Sequence, residues 1–515
     1  MTVGSPPSRT ATTEFVVPRS MPTARAMAVT SSVRSAVLSQ YGSTITLSRR
    51  GSTSVSGQRA TGSEDSLRYC AYADPHVPGV PGRRRTPPPG PAQADHGRRA
   101  HPLPDRRRGA VPRRPDLLAA MAVQEEARPV AVRSRLLGVD AARGIALLGM
   151  MSVHILPGIG EDGGATASRL IASGRSSALF ALLAGVGLAL ATGGRTPLRG
   201  RPLAAASVGV ALRALVIFLV GLCLGAFPSG VAVILAYYGL LFLLAIPFLG
   251  LGPRILLPLG LVWATGAPLL NHYWRIGEPP ASYDTPTFES LEHTGDLLRE
   301  LLVTGYYPVF PWLAYLLVGL GIGRLALSST RVAATLLAGG ATLAVAAWVT
   351  STVLLDNGGL EHLVTAGLGG HPANPFDFAG AVNNTSFYGT TPATSWWWLI
   401  VAAPHTATPF DLLHTIGTSV AVLGLMLLIA PRARPLVWPL AAIGGMTFTL
   451  YTLHVVLLSG PVAGHDLSTY LVHVAIMFAI AMPWRAFIGR GPLEAVAAAL
   501  GRSGRELVLS PSARR

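Results

Sequence analysis

Residues 136–156 read LLGVDAARGIALLGMMSVHIL. A run of about 20 mostly apolar residues makes a helix long enough to cross the hydrocarbon layer of a bilayer, roughly 30 Å. This run nevertheless carries Asp140, Arg143 and His154. With residues about 100° apart on a helix, Asp140, Arg143, Leu147, Met151 and His154 fall on one narrow stripe. A helix surrounded by lipid would not gather its only ionisable groups on one stripe. The stripe is therefore expected to face protein or a water-filled cavity. Taken one at a time, the same residues also read as a neutralising Asp–Arg pair at a helix mouth and an interfacial histidine.

The pattern repeats outward from this stretch. Half of the 515 residues are hydrophobic and 13% are charged, about half the charged share of a soluble domain. The expected fold is all-α, a polytopic membrane bundle of about ten helices. The spans fall near 136–156, 176–192, 204–226, 230–250, 253–270, 306–326, 332–355, 410–430, 436–458 and 467–487. Residues 131–490 form the membrane domain and 491–515 a tail. Residues 1–130, rich in Arg, Pro, Ser and Gly, lack an apolar period and read as a disordered arm. The favoured reading is an over-extended start, with the native one at Met121.

Residues 1–135 hold 21 of the 41 basic and 9 of the 25 acidic residues, so the net charge of +16 belongs mainly to the arm. Every basic residue is arginine, which fits the codon bias of a GC-rich bacterial genome and gives no ground for a nucleic-acid partner. Cys70 and Cys223 are too few for a disulfide framework or a cysteine metal site.

Charge sets the orientation. With the N-terminus cytoplasmic, the inner connections hold Arg195, Arg199, Arg201, Arg254, Arg324, Arg331, Arg432 and Arg434, and the tail holds Arg490, Arg502 and Arg505. The outer loop 356–409 has Asp356, Glu361 and Asp377 and no arginine. Both termini are thus expected in the cytoplasm of a cell that carries the protein in its plasma membrane. The long outer loops 271–305 and 356–409 mix aromatics, Gly, Pro and His and read as a folded cap. The glycosylation-type matches at Asn383 and Asn384 read as chance.

The ionisable residues then sort by depth. Asp140 and Arg143 lie near the inner end of the first span, and His154 lies 14 residues on, about 21 Å away. His154 shares the outer leaflet with His405, Asp411, His414 and His454. Histidine suits proton transfer from an acceptor hydroxyl or amine, and a carboxylate fixes its tautomer. Each of these histidines also reads as an interfacial residue bonded to a carbonyl. Arg213, deep in the third span, binds a phosphate or carboxylate or snorkels to the surface. Arg175, at the outer end of the second span, carries the same two readings. No HxxxH or HExxH spacing occurs, so no metal is expected. The glycines of GVGLALATGGR and GLGIGR read as helix-packing residues and not as nucleotide loops.

VDAARGIALLGMMSVH (139–154), GRSSALFALLAGVGLAL (174–190) and GYYPVFPWLAYLLVGLGIGR (305–324) resemble the catalytic domain of the heparan-alpha-glucosaminide N-acetyltransferase family. GGMTFTLYTLH (444–454) and GPLEAV (491–496) resemble a related bacterial family of multi-spanning membrane proteins. Together the resemblance covers about 136–500. It implies acyl transfer across a membrane. Acetyl-CoA is used on the cytoplasmic side, an amino sugar is acetylated on the far side, and a histidine of the first outer loop carries the acetyl group. Here that loop, PGIGEDGGATASRLIASGR (157–175), has no histidine. His154 stands where the family has an asparagine. The Asp140-x-x-Arg143-Gly144 motif matches, as do Tyr307, Pro308, Pro311 and Trp312.

The sites read from residues and resemblance together are three. His154, Asp411, His414 and His454 carry the chemistry. Asp140, Arg143 and Arg213 meet an acetyl-CoA or other acyl-CoA co-substrate. Arg175, Tyr307, Trp312 and His405 meet a sugar or cell-envelope acceptor. A homo-oligomer is compatible with the sequence. A transporter of a small molecule or lipid-linked precursor is the competing class, and it predicts mid-membrane ionisable relays and an internal repeat. A non-catalytic assembly protein is a third.

Overall fold

Alanines and glycines make the opening stretch one of the most enclosed helices of the protein. In the computed structural model α1 spans Leu137–Ile155, and Ala141, Ala142, Ala146, Leu147 and Met151 are fully buried. A methyl group added at Gly138 would meet the Met426 carbonyl oxygen at 2.8 Å, and one at Gly144 would run into the Leu440 carbonyl. Small residues at such crossings let helix backbones approach closely. The structure describes residues 136–161, 164–278, 284–365, 382, 387–460 and 462–510. The arm 1–130 with its candidate start Met121, and Asp162, Asp377, Asn383 and Asn384, lie outside the described residues.

After α1 the chain forms α2 (Ala167–Ala172), α3 (Arg175–Ala191), α4 (Gly200–Gly225), α5 (Leu235–Ala245) and α6 (Pro253–Trp274). Then come α7 (Thr294–Arg299), α8 (Val309–Gly323), α9 (Thr330–Leu354) and α10 (Leu360–Thr365). The last five are α11 (Pro409–Ile429), α12 (Arg434–Gly444), α13 (Thr447–Leu458), α14 (Leu467–Phe487) and α15 (Pro492–Leu509). Helices and loops make up the described residues, with one isolated bridge between Ile159 and Ala165. α1 packs against α3, α11, α12, α13 and α14, so the stretch that opens the described chain sits at the centre of the bundle.

Six helical segments are long and apolar enough to cross a membrane, and eight if each bent pair counts as one span. The ten read from hydropathy exceed this at two places. α1 has the length, but Asp140, Arg143 and His154 lower its hydropathy. The expected span 230–250 contains only the 11-residue α5, followed by a short 3-10 turn. The bent pairs join Glu289–Thr304 to Val309–Gly323 at 55° and Arg434–Gly444 to Thr447–Leu458 at 67°.

Glycines set the closest contacts elsewhere. Gly319 and Gly323 of α8 meet Leu182, Val186 and Ala189 of α3, so GLGIGR packs helices. Gly340 of α9 faces Gly417 and Ala421 of α11 backbone to backbone. The segment expected as a tail is helical through Leu509 and packs on α4. There the Arg201 guanidinium donates to the carbonyls of Val508 and Ser510.

Candidate active site

A cavity of about 810 Å³ opens at the end of the bundle where α1 begins. Asp140 and Arg143 of α1, Arg213 of α4, Arg195 of the α3–α4 turn, Arg490 just before α15 and Glu494 in its first turn line it. Both acids are engaged. Arg143 donates to Asp140 at 3.2 Å. The Glu494 carboxylate accepts from the amides of Phe448 and Thr449 and from the Thr449 hydroxyl, at 2.7, 3.3 and 2.6 Å. It thereby caps the first turn of α13, whose amides have no helical partner. Arg195, Arg213 and Arg490 make no ion pair among the described residues, so the cavity carries a surplus of positive charge. Arg213 lies over the Phe242 ring, 5.7 Å from its centroid. Gly187 makes the room for Arg143, since a methyl group there would lie 2.7 Å from Nη2.

One buried arginine shapes the wall. Arg324, 2% exposed, donates to the carbonyls of Ala189, Thr192, Gly194 and Leu249 and to the Thr192 hydroxyl, at 2.6 to 3.0 Å. It gathers the C-terminal end of α3, the Gly193–Gly194 turn and the end of the α5 segment. In the sequence it read only as an inner connecting charge.

At the opposite end stand three histidines in a row. His154 Nδ1 lies 3.1 Å from His454 Nε2, His454 Nδ1 lies 3.0 Å from His473 Nδ1, and His473 Nε2 lies 2.9 Å from the Val462 carbonyl oxygen. A carbonyl only accepts, so His473 carries its proton on Nε2. For neutral rings the rest follows. His473 Nδ1 accepts from His454 Nδ1, and His454 Nε2 accepts from His154 Nδ1. His154 Nε2 keeps its lone pair and makes no hydrogen bond among the described residues. His473 escaped the sequence reading. An ionisable residue within the apolar run LVHVAIM was the available signal.

The other sequence candidates form a second group. Asp411 does not bond His414. Its carboxylate accepts from the amides of Thr406 and Ala407 at 3.2 and 3.0 Å. It thereby braces a loop in which His405 (φ 59°) and Ala407 (φ 49°) are left-handed. Such residues cost about 1–3 kcal/mol each and need support from their surroundings. His414 uses both ring nitrogens, one toward the Ala344 carbonyl at 3.0 Å and the other accepting from Arg175 Nε at 3.2 Å. That leaves neither nitrogen for a substrate proton. His405 is buried against Tyr306 and Tyr307, its Nδ1 has no partner, and Tyr307 stacks edge-on with Trp312.

Burial, reinforced by the charges of His154 and Arg169, pushes the His405 imidazole down to about 3. The unfolded chain therefore takes up this proton first, and stability falls as pH drops from about 6.5 towards 3. Asparagine suits the left-handed backbone and does not titrate. His405→Asn is expected to flatten the fall of the thermal midpoint in detergent between pH 7 and 4, relative to wild type.

The cavity and the histidines meet on α13. Tyr451 lines the cavity, and His454 lies one helical turn further, about 4.5 Å along the axis. The fold and these features define a multi-pass helical membrane protein. Residues 135–355 match the family model for heparan-alpha-glucosaminide N-acetyltransferase, catalytic. That segment, less than half of the chain, is similar to the catalytic domain of this family. Asp140, Arg143, His154, Arg175, Arg213, Tyr307 and Trp312 fall within the match; His405, Asp411, His414, His454 and His473 follow it. No match was found among curated proteins.

Proposed function

We propose that the protein is a membrane acyltransferase that moves an acetyl or other acyl group from acyl-CoA to a sugar or cell-envelope acceptor. The observation that carries this reading is the basic cavity ending one helical turn from the histidine chain. The arginine surplus suits the phosphates of acyl-CoA, with Arg143 and Arg213 as the deepest contacts. With the arginine-rich connections inside, the donor enters from the cytoplasm and the acceptor from the outer face of the plasma membrane.

The acceptor oxygen or nitrogen attacks the thioester carbonyl carbon, the carbon–sulfur bond breaks, and the CoA thiolate leaves. His154 Nε2 takes the proton released by the acceptor. Direct transfer requires no acyl-histidine, and His454 and His473 hold the base in the required tautomer. Arg175, Tyr307, Trp312 and His405 border the acceptor's approach, while Asp411 and His414 keep that border in place.

The test is labelling by radioactive acetyl-CoA in inverted membrane vesicles, comparing wild type with His154→Ala. Label on an extractable acceptor that is lost in the variant supports the reading. Unchanged label in the variant removes His154 from the chemistry. No label with folded wild type turns the assignment towards transport.

A further inference from the structure

Several buried tyrosines near the basic cavity place their hydroxyl hydrogens on fixed acceptors. Tyr237 donates to the Glu300 carboxylate at 3.1 Å, Tyr238 to the Ser177 carbonyl at 3.3 Å and Tyr307 to the Ala232 carbonyl at 3.4 Å. Tyr451 of α13 differs. Its oxygen accepts from the Ile234 amide at 3.4 Å, and its own O–H makes no hydrogen bond among the described residues. A phenol has one hydrogen to donate besides its capacity to accept. The amide bond leaves that hydrogen unused and polarises it, which makes it a better donor. A buried donor left unmet is costly, and Tyr451 is only 2% exposed. It lines the basic cavity together with Ile234 and Leu235.

Two helices fix this donor. Ile234 caps the start of α5, where backbone amides have no partner within the helix, so its N–H is available to a side chain. Tyr451 stands three residues before His454, and at that spacing both side chains share one face of α13. His454 Nε2 in turn lies 3.1 Å from His154 Nδ1. One face of α13 therefore carries an unused hydroxyl hydrogen at the cavity wall and, a turn further, the histidine that holds the proposed base.

We propose that Tyr451 is a further catalytic residue of the acyl transfer, donating its O–H to the thioester carbonyl oxygen. This rests on the acyltransferase reading. As the acceptor's lone pair forms the new bond to the carbonyl carbon, the C=O π electrons move onto oxygen. The Tyr451 O–H meets the negative charge that gathers there. When the carbonyl re-forms, the carbon–sulfur bond breaks and the CoA thiolate leaves. The acceptor's proton goes to His154 Nε2, and Tyr451 keeps its own. A donor placed in advance at such an oxygen acts strongly where water is excluded.

Tyr451→Phe removes the O–H and keeps the ring. In inverted membrane vesicles given radioactive acetyl-CoA, the variant is expected to transfer label about 10²–10³-fold more slowly than wild type, the usual loss for one such donor. Two unreactive analogues separate this role from packing. One is the ketone in which a methylene replaces the thioester sulfur of acetyl-CoA. The other is S-ethyl-CoA, which has no carbonyl. Wild type in detergent is expected to bind the ketone about fivefold more tightly than S-ethyl-CoA. Tyr451→Phe is expected to bind the two alike and to hold S-ethyl-CoA as wild type does. Transfer by the variant at the wild-type rate, equal affinity of wild type for the two analogues, or an equal loss of both in the variant would each overturn the proposal while labelling by wild type keeps the acyltransferase reading. No label from folded wild type would overturn both.

Discussion

Replacing His154 by alanine is expected to lower the rate of acyl transfer by about 10²–10⁴-fold, the usual contribution of a positioned general base. The Michaelis constant for acyl-CoA should hardly change. The proposed donor contacts Asp140 and Arg143 lie towards the far end of α1, about 21 and 17 Å from His154, and no hydrogen bond of His154 reaches them. His473 separates positioning from simple packing. In His473→Gln the carboxamide oxygen accepts from His454 Nδ1–H while its NH₂ donates to the Val462 carbonyl, so the tautomers stay fixed. In His473→Phe both bonds vanish, and His454 is free to present either nitrogen to His154. The glutamine variant should keep most of the rate. The phenylalanine variant should lose about 10–100-fold, the range typical for outer partners that orient functional histidines. Equal rates in the two variants would show that the chain does not set the tautomer of His154.

How much of this could be read from the sequence depended on the distance between partners. The stripe on α1 was legible because helical geometry alone decides which residues share a face. Asp140 and Arg143 do line a cavity, and His154 does face another histidine. The pairing of His154 with His454 crosses 300 residues, and no local pattern encodes it. The same holds for Glu494, which caps a helix starting more than 40 residues earlier. Asp411 and His414 were placed on one helix face by their spacing, and they do share it. Spacing does not say where a carboxylate turns. The better signal was Thr408-x-x-Asp411, the spacing of a capping box. Thr408 accepts from the Asp411 amide, and the Asp411 carboxylate reaches back to the loop before the helix. Length and composition mark six to eight spans where ten were expected, and the difference lies at the polar α1 and the short α5.

Arg324→Ala is expected to give the largest loss of stability. Its guanidinium satisfies four carbonyls and one hydroxyl, and it is 2% exposed. The last carbonyls of a helix lack intrahelical partners, and the positive charge also meets the negative end of the α3 dipole. The Ala189 and Thr192 carbonyls keep backbone donors, but alanine would orphan the carbonyls of Gly194 and Leu249, at about 1–3 kcal/mol each. A total loss of about 3 kcal/mol or more is expected, which is large against the margin of most folded proteins. Arg324→Lys should recover only part of it, because one ammonium with three donors does not span five acceptors. The thermal midpoint in detergent should therefore fall in the order wild type, lysine, alanine. The loss should also reach the candidate donor site, since the Gly193–Thr196 turn gathered by Arg324 lines the basic cavity. Acyl-CoA binding to the lysine variant, measured below its own midpoint, should be weaker than to wild type. A variant that loses stability while binding the donor as wild type does would separate the staple from the cavity and leave Arg324 a purely structural residue.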